Sequence, residues 1–337
     1  MTTGSPQILE RYRSEIEAEL KSLIDTTSPL FHLLGYHLGW VDQRGQPRSG
    51  PGGKMLRPTL CLLACEAVGG SWRGALPAAA AVELVHSFSL IHDDIEDESP
   101  QRRGRPTLWH IWGQAQAINA GDAMHTLSRL ALLRLEERGV RPKKVLQAAR
   151  LLDESCLRLC EGQHLDLCYQ KRLDIEVSDY LKMISGKTAT LFECSLKLGG
   201  LLGADDPGLV ACLGYFGHSL GLAFQIRDDI IGIWGQEEVS GKSSVSDIQE
   251  MKKTLPVVYG LAKDKELSMI YHKEALDGDD VVSVLSILEK VGAQGYAQDM
   301  AQRYYDEALS ALQSASIPSP ARKELEVVAD FILKRDY

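Results

Sequence analysis

The sequence predicts an all-α protein, a single bundle of helices around a central cavity. Three observations carry that prediction. Apolar residues recur at helical spacing through most of the chain, while β-branched runs of period two are scarce. Several of these stretches begin at a proline or end at glycine, as helices do. Two buried-looking runs also close in the same way, one at His92-Asp93-Asp94-Ile95-Glu96-Asp97 and the other at Arg227-Asp228-Asp229-Ile230-Ile231-Gly232.

In chain order, residues 8–39 read as amphipathic helix, with Thr26-Thr27-Ser28-Pro29 as the place for a break. Residues 57–69 form a helix from Arg57-Pro58 to Gly69-Gly70. Pro77 opens the next, which runs to the first acidic cluster. Residues 98–108 are a polar, basic loop. Helices follow at 113–137, 142–170, 178–202, 207–234, 254–273, 278–313 and 318–335. If the two Asp-ended helices run parallel to each other, both clusters reach one rim of the bundle. Their inner faces then line a cavity between helices.

A chain of 337 residues suggests about two domains on length alone. The strongest break, the Gly/Pro-rich stretch 42–53, has only an N-terminal helical segment before it. One domain over 1–337 is therefore expected, with 1–45 packing on the bundle. At 44% hydrophobic there is ample material for a deep core. The formal charge of −9 argues against a nucleic-acid surface. Seven cysteines, an odd number without CxxC, lie mostly in apolar helical runs and read as reduced, buried thiols of a cytoplasmic protein. The first six residues lack the basic-then-apolar pattern of a signal peptide. No run reaches the roughly 18 apolar residues of a membrane span, so no stable membrane insertion is expected.

Carboxylates on buried helices are costly unless something positive neutralises them. Asp93 and Asp97 lie one turn apart on one face, with Asp94 to the side. Such a pair can hold hard divalent cations together with phosphate oxygens. A helix end decorated with solvated acids is the plain alternative, although acids there oppose the helix dipole. Gly52-Gly53-Lys54-Met55-Leu56-Arg57-Pro58 offers glycines for close backbone approach and two cations suited to a diphosphate. Arg102 and Arg103 could fork a phosphate or pair with Glu96, Asp97 and Glu98. Ser185-Gly186-Lys187-Thr188 is not a nucleotide P-loop, since Leu181 stands where that motif needs glycine. Lys242 and the Lys252-Lys253 pair add cations after the second Asp cluster. Cys156, Cys160, His164 and Cys168 span too much helix to converge on one zinc and read as core packing. Between them, Gln163 and Asp166 are polar positions in an apolar stretch.

In this order, GGKMLRP, LIHDDIED, RRGRPT, EGQHLDL, SGKTA, FQIRDD and GKSSVSDIQEMKKTLP resemble the motifs of the trans-isoprenyl diphosphate synthases, the farnesyl and geranylgeranyl diphosphate synthase family. The likeness runs from Gly52 to the C-terminus. Two departures stand out. Gly232 replaces the third aspartate of the second DDxxD motif, and Met251 stands where glycine often precedes the lysine. The resemblance implies an isoprenoid synthase-type bundle and a homodimer. It also implies Mg²⁺-dependent condensation of isopentenyl diphosphate with an allylic diphosphate. Asp93, Asp97 and Asp228 would be the metal ligands, with Asp94 and Asp229 as supporting acids. Arg102, Lys187 and Lys242, with Lys252 nearby, would clamp the allylic diphosphate. Lys54, Arg57, His86 and Arg103 would hold isopentenyl diphosphate, and Thr188 and Gln225 would face the allylic cation. Phe88 and Ser89, five and four residues before Asp93, resemble the geranylgeranyl-forming pattern at the cavity floor, with a farnesyl product as the near alternative. The C-terminal Lys334-Arg335-Asp336-Tyr337 could close over the isopentenyl site or simply fray.

Two other functions are weighed. A terpene cyclase of this fold would carry Asn/Asp-x₃-Ser/Thr-x₃-Glu, whereas the series here is Asp228, Gly232, Gln236. A non-catalytic partner subunit should have lost several ligands, whereas only the third acid of the second motif is missing.

Overall fold

The computed structural model describes residues 6–24, 28–48, 53–235, 245–315 and 317–335. The N-terminal segment forms three short helices, α1 (Gln7–Glu10), α2 (Arg13–Leu23) and α3 (Leu30–His37). Then come α4 (Leu56–Ala67) and the long α5 (Trp72–Glu96). The helix α5 starts five residues before Pro77, which lies inside it. That proline lacks the N–H that would bond the Arg73 carbonyl, and burial of the surrounding alanines outweighs the loss.

The predicted loop 98–108 holds a small hairpin, β1 (Gln101–Arg102) against β2 (Arg105–Pro106). Arg103 and Gly104 form its turn with φ of 53° and 68°, the two left-handed positions that a two-residue hairpin demands. Arg102 is the last strand residue and Arg103 the first of the turn, and their guanidinium groups diverge, Arg102 to Asp94 and Arg103 over Gly53. The next helix is split by Gly113 (φ 84°) into α6 (Leu108–Trp112) and α7 (Gln114–Leu133). It is followed by α8 (Pro142–Tyr169) and α9 (Val177–Ile184). A π-helical turn, Ser185–Ala189, leads into α10 (Thr190–Gly203), so the predicted helix 178–202 carries a bulge where Lys187 and Thr188 sit. Next is α11 (Pro207–Trp234), capped by Asp206, whose side chain accepts from the Gly208 and Leu209 amides.

The remaining helices are α12 (Ser246–Gln249), α13 (Leu255–Leu261), α14 (Lys265–Ile270), α15 (Gly278–Lys290), α16 (Ala293–Ser314) and α17 (Ser319–Lys334). The predicted helix 278–313 is thus two helices, broken at Gly292 in the left-handed region.

Packing places α5 between α4 and α7, and α11 between α10 and α16. The main core joins the N-terminal helices to α4, α5, α7, α8, α10 and the first half of α11. Tyr12, Ile16 and Leu20 of α2 belong to it, with Tyr12 against Trp72 at 5.1 Å. Smaller cores lie around the second half of α11 and among α12–α15.

Contrary to expectation, α5 and α11 are long and apolar enough on average to cross a membrane, but their apolar windows are 78% and 56% buried inside the fold. They are core helices that end in the acid clusters. The cysteines are all free. Cys160 and Cys168 are exposed rather than core residues, because α8 turns that face to solvent, while Cys156 is buried.

Candidate active site

The first acid cluster ends α5. Asp93 Oδ1 is 3.1 Å from Lys187 Nζ, and Oδ2 is 3.4 Å from the Arg102 guanidinium. The Lys187 approach is close but badly directed, so Asp93 Oδ1 has no aligned donor although it is buried. Asp94 is buried and accepts from Arg102 Nε at 2.7 Å. Burial pushes its carboxyl up to about 6 against the pull of Arg102. The hairpin therefore delivers Arg102 to Asp94 and Asp93, not to Glu96, Asp97 or Glu98. Asp94 anchors that arginine. The Asp97 carboxylate takes no hydrogen bond or ion pair among the described residues. It is pushed up to about 6 by burial and by the like charge of Asp93, with Asp166 adding to this and Lys187 partly offsetting it.

Lys187 reaches this cluster because α8 and the π turn nearly touch. A Cβ on Gly162 would lie 2.0 Å from the Lys187 amide nitrogen. Lys187 Nζ also bonds Asp166 at 2.5 Å. Burial works against its charge, yet Asp93 and Asp166 outweigh it and hold the lysine above its ordinary value. Gln163, the other singled-out polar position of α8, bonds Glu96 at 2.7 Å.

The second cluster ends α11, and its two aspartates do different things. Asp228 is partly exposed and accepts from Arg335 at 2.6 Å. Asp229 is buried and accepts from Tyr180 Oη (2.5 Å), the Leu255 amide (2.8 Å) and Gln225 Nε2 (3.0 Å). Burial pushes it up to about 7 despite these bonds. Gln225 Oε1 in turn accepts from Thr188 Oγ1 at 2.7 Å. At Gly232, a Cβ would sit 1.9 Å from Asp247 Oδ2. A carboxylate from α12 thus lies against the position where the second motif lacks its third acid. Lys252 pairs with Asp247 (3.3 Å) and Glu250 (2.7 Å). Lys253 turns away to the Tyr271 ring, 4.9 Å off, and burial lowers it to about 8. Lys242 and Gly52 lie outside the described residues.

The expected isopentenyl diphosphate residues cluster on the α4 side. Met55, with φ 49°, turns the chain into α4. Arg57 lies 3.3 Å from His86 Nε2 and stacks over Phe192, 4.6 Å from its centroid. Burial lowers Arg57 to about 10, with Glu83 and Asp228 supporting its charge. His86 is held well below its ordinary value by burial and then by Arg57, so it is neutral. Arg103 packs over Gly53, where a Cβ would come within 2.6 Å of Nη1. Lys54 lies 5.7 Å from the Phe331 ring of α17. Glu83, Arg103, Gly53 and Met55 line one small cavity. The C-terminus is not frayed at Arg335, which is buried, bonds the Phe224 carbonyl at 3.0 Å and covers the Phe224 ring at 3.8 Å.

Phe88 is buried edge-on to His125 of α7 (4.8 Å) and His92 (5.8 Å). Ser89 spends its hydroxyl on the His86 carbonyl. Sequence reasoning missed Glu83, Tyr180, Asp247 and His125. Only Glu83 carried a signal, as a charge within the apolar run before His86.

Among the described residues no three acidic, His or Cys side chains converge into a ready coordination sphere. Asp93, Asp97 and Asp228 therefore do not form a preassembled trio. The donor set still fits a hard divalent cation. It is all carboxylate, with one buried oxygen lacking an aligned donor and one acid strained by like charge.

Two Asp-ended helices lining a bundle, faced by Lys187, Arg102, Arg57 and Lys54, define a prenyltransferase of the isoprenoid-synthase fold. The chain belongs to the polyprenyl synthetase family, whose model matches residues 40–288. It is 39% identical to a geranylgeranyl diphosphate synthase of Mycobacterium tuberculosis, covering 98% of this chain and 93% of that one. It is 35% identical to a (2E,6E)-farnesyl diphosphate synthase of the same organism, over 99% and 94%. The fold matches a polyprenyl synthetase from Streptomyces coelicolor with TM-score 0.90, at 36% identity over 97% and 99% of the two chains. It also matches a polyprenyl synthase from Caulobacter crescentus complexed with calcium and isoprenyl diphosphate, with TM-score 0.85, 27% identity and full coverage of both.

Proposed function

We propose that this prenyltransferase condenses isopentenyl diphosphate with dimethylallyl, geranyl or farnesyl diphosphate, and that its main product is geranylgeranyl diphosphate. The observation that carries the reading is the convergence of Lys187, Arg102 and Asp93 from three separate elements at the end of α5. Mg²⁺ held by Asp93 and Asp97 on one side and Asp228 on the other would neutralise the departing diphosphate. Lys187, Arg102 and Lys252 add fixed positive charge where the leaving group gathers negative charge, and the resemblance adds Lys242 to them. The carbon–oxygen bond breaks, and its electron pair leaves with diphosphate. Thr188 and Gln225 face the allylic cation with oxygen dipoles. Lys54, Arg57 and Arg103, with neutral His86, hold isopentenyl diphosphate. Its double bond attacks the cation, and the proton lost afterwards goes to diphosphate, since no side chain among the described residues is an evident base.

Phe88, wedged against His125, forms the floor that sets product length, with Ser89 one step above it. Farnesyl diphosphate is the second reading, since three relatives carry the name of a farnesyl diphosphate synthase. The protein works as a cytoplasmic homodimer. Leu130 and Leu133 of α7 and Leu146 and Leu157 of α8 are 49%, 58%, 72% and 62% exposed, apolar surface that a second copy would cover.

The test is incubation with Mg²⁺, isopentenyl diphosphate and each allylic diphosphate, followed by product sizing. A twenty-carbon product is expected, and Phe88→Ala lengthens it. Unchanged lengths in that variant remove Phe88 as the floor. Folded Asp93→Ala and Asp228→Ala variants lose about 10³-fold or more in kcat, and retention of parental rates by both would refute the assignment.

A further inference from the structure

We infer that Asp229 and Tyr180 are positioning residues that fix the polarity of the Gln225–Thr188 pair. The inference rests on the prenyl-condensation reading of the site, and it gives the second aspartate of the α11 cluster a task other than holding a cation. Consecutive helical side chains diverge by about 100°. While Asp228 meets Arg335, Asp229 points into the protein and is buried. Its Oδ2 takes Tyr180 Oη and the Leu255 amide, and its Oδ1 takes Gln225 Nε2.

A carboxylate only accepts hydrogen bonds. With the acid charged, the side of the Gln225 amide that meets Asp229 is the NH₂, as the 3.0 Å Nε2 contact has it, and Oε1 faces Thr188. Oε1 accepts the Thr188 proton at 2.7 Å, which leaves lone pairs as what Thr188 Oγ1 offers elsewhere. The order acid, amide, hydroxyl thus sets oxygen dipoles, not N–H groups, on this wall. That is the sign an allylic cation requires. Tyr180 and Leu255 lock the acid in place. Leu255 is the first residue of α13 and follows Lys252-Lys253-Thr254, so the same carboxylate ties that segment to the pair.

An asparagine at 229 breaks the logic. Its oxygen would keep Tyr180 and Leu255, its NH₂ would face Gln225, and the Gln225 amide would have to rotate and turn N–H toward Thr188. The experiment compares wild type, Asp229→Asn, Tyr180→Phe, Gln225→Leu and the two double variants with Gln225→Leu. Two quantities are read, kcat against KM for both diphosphates, and the ratio of prenyl alcohol to condensed product. The alcohol forms when the cation takes oxygen from water and releases a proton to solvent.

For Asp229→Asn we expect a kcat loss on the order of 10²-fold with both KM values within about 3-fold, and a higher alcohol share. In the Gln225→Leu background the same change costs no more than about 3-fold further, since the two residues act as one unit. Tyr180→Phe leaves two of the three bonds to Asp229 and gives a smaller loss with the same non-additivity. It carries the test if Asp229→Asn does not fold. Losses that multiply across the cycle, or that appear in KM, would overturn the inference. Wild type failing to condense its substrates would sink the functional reading itself, whereas a condensing wild type with a multiplicative cycle sinks only the role of Asp229.

Discussion

Glu83 shows how a single residue sets conditions for its neighbours. It is buried among Arg57, Arg103 and Arg13, and burial pushes its carboxyl up to about 7 against those positive charges. An acid whose folded value is raised favours the folded state while protonated and opposes it once charged. As pH rises from about 4.5 toward 7, the folded chain holds this proton more tightly than the unfolded chain does, so stability falls across that window. Glu83→Gln keeps the shape and removes the titration. Denaturant unfolding at pH 5 and pH 8 should show a smaller fall in the variant than in wild type, and equal falls would mean Glu83 is charged in both states. Gly232 is the counterpart at the other rim. The sequence shows a missing acid there, and the fold brings Asp247 against the same spot. Spacing on one helix could expose the loss but not the approach of a carboxylate from a separate element.

At the scale of elements, the close seam between α8 and the π turn puts Lys187 beside Asp93 and Asp166. Gly162 is required there, because a methyl group would meet the Lys187 amide at 2.0 Å. Gly162→Ala should cost roughly 1–3 kcal/mol through overpacking and should move Lys187 off Asp93, lowering kcat more than it lowers the midpoint of thermal unfolding would suggest. A variant as active and as stable as wild type would show that the seam yields freely.

Helix order and the two Asp-ended helices were legible in the sequence because periodicity and terminal residues report them directly. The breaks were less so. The π turn at Ser185–Ala189 shifts a helix by one residue without a proline or a local composition change, and Gly292 sat unnoticed inside a good amphipathic pattern. Pro77 misled in the other direction, since its buried surroundings hold a helix that a proline would ordinarily begin. The candidate site was readable as residue types in order. Its pairings, such as Arg102 with Asp94 or Tyr180 with Asp229, depend on contacts between distant segments that no local pattern encodes.

For the whole molecule, every acid of the two rims but Asp97 already has a partner of its own. Lys187 pairs with Asp93, Arg102 with Asp94 and Asp93, and Arg335 with Asp228. A divalent ion arriving by itself would strand those bases, and a diphosphate arriving by itself would strand the acids. Only the two together let every charge trade one neighbour for another. Calorimetric titration should therefore find weak binding of Mg²⁺ or diphosphate separately and binding at least about tenfold tighter for each in the presence of the other, a coupling of about 1.4 kcal/mol. Independent affinities would show that the internal pairs do not compete. On the proposed assignment, such a site would be a coincidence detector, passing over stray ions and answering to a metal–diphosphate complex.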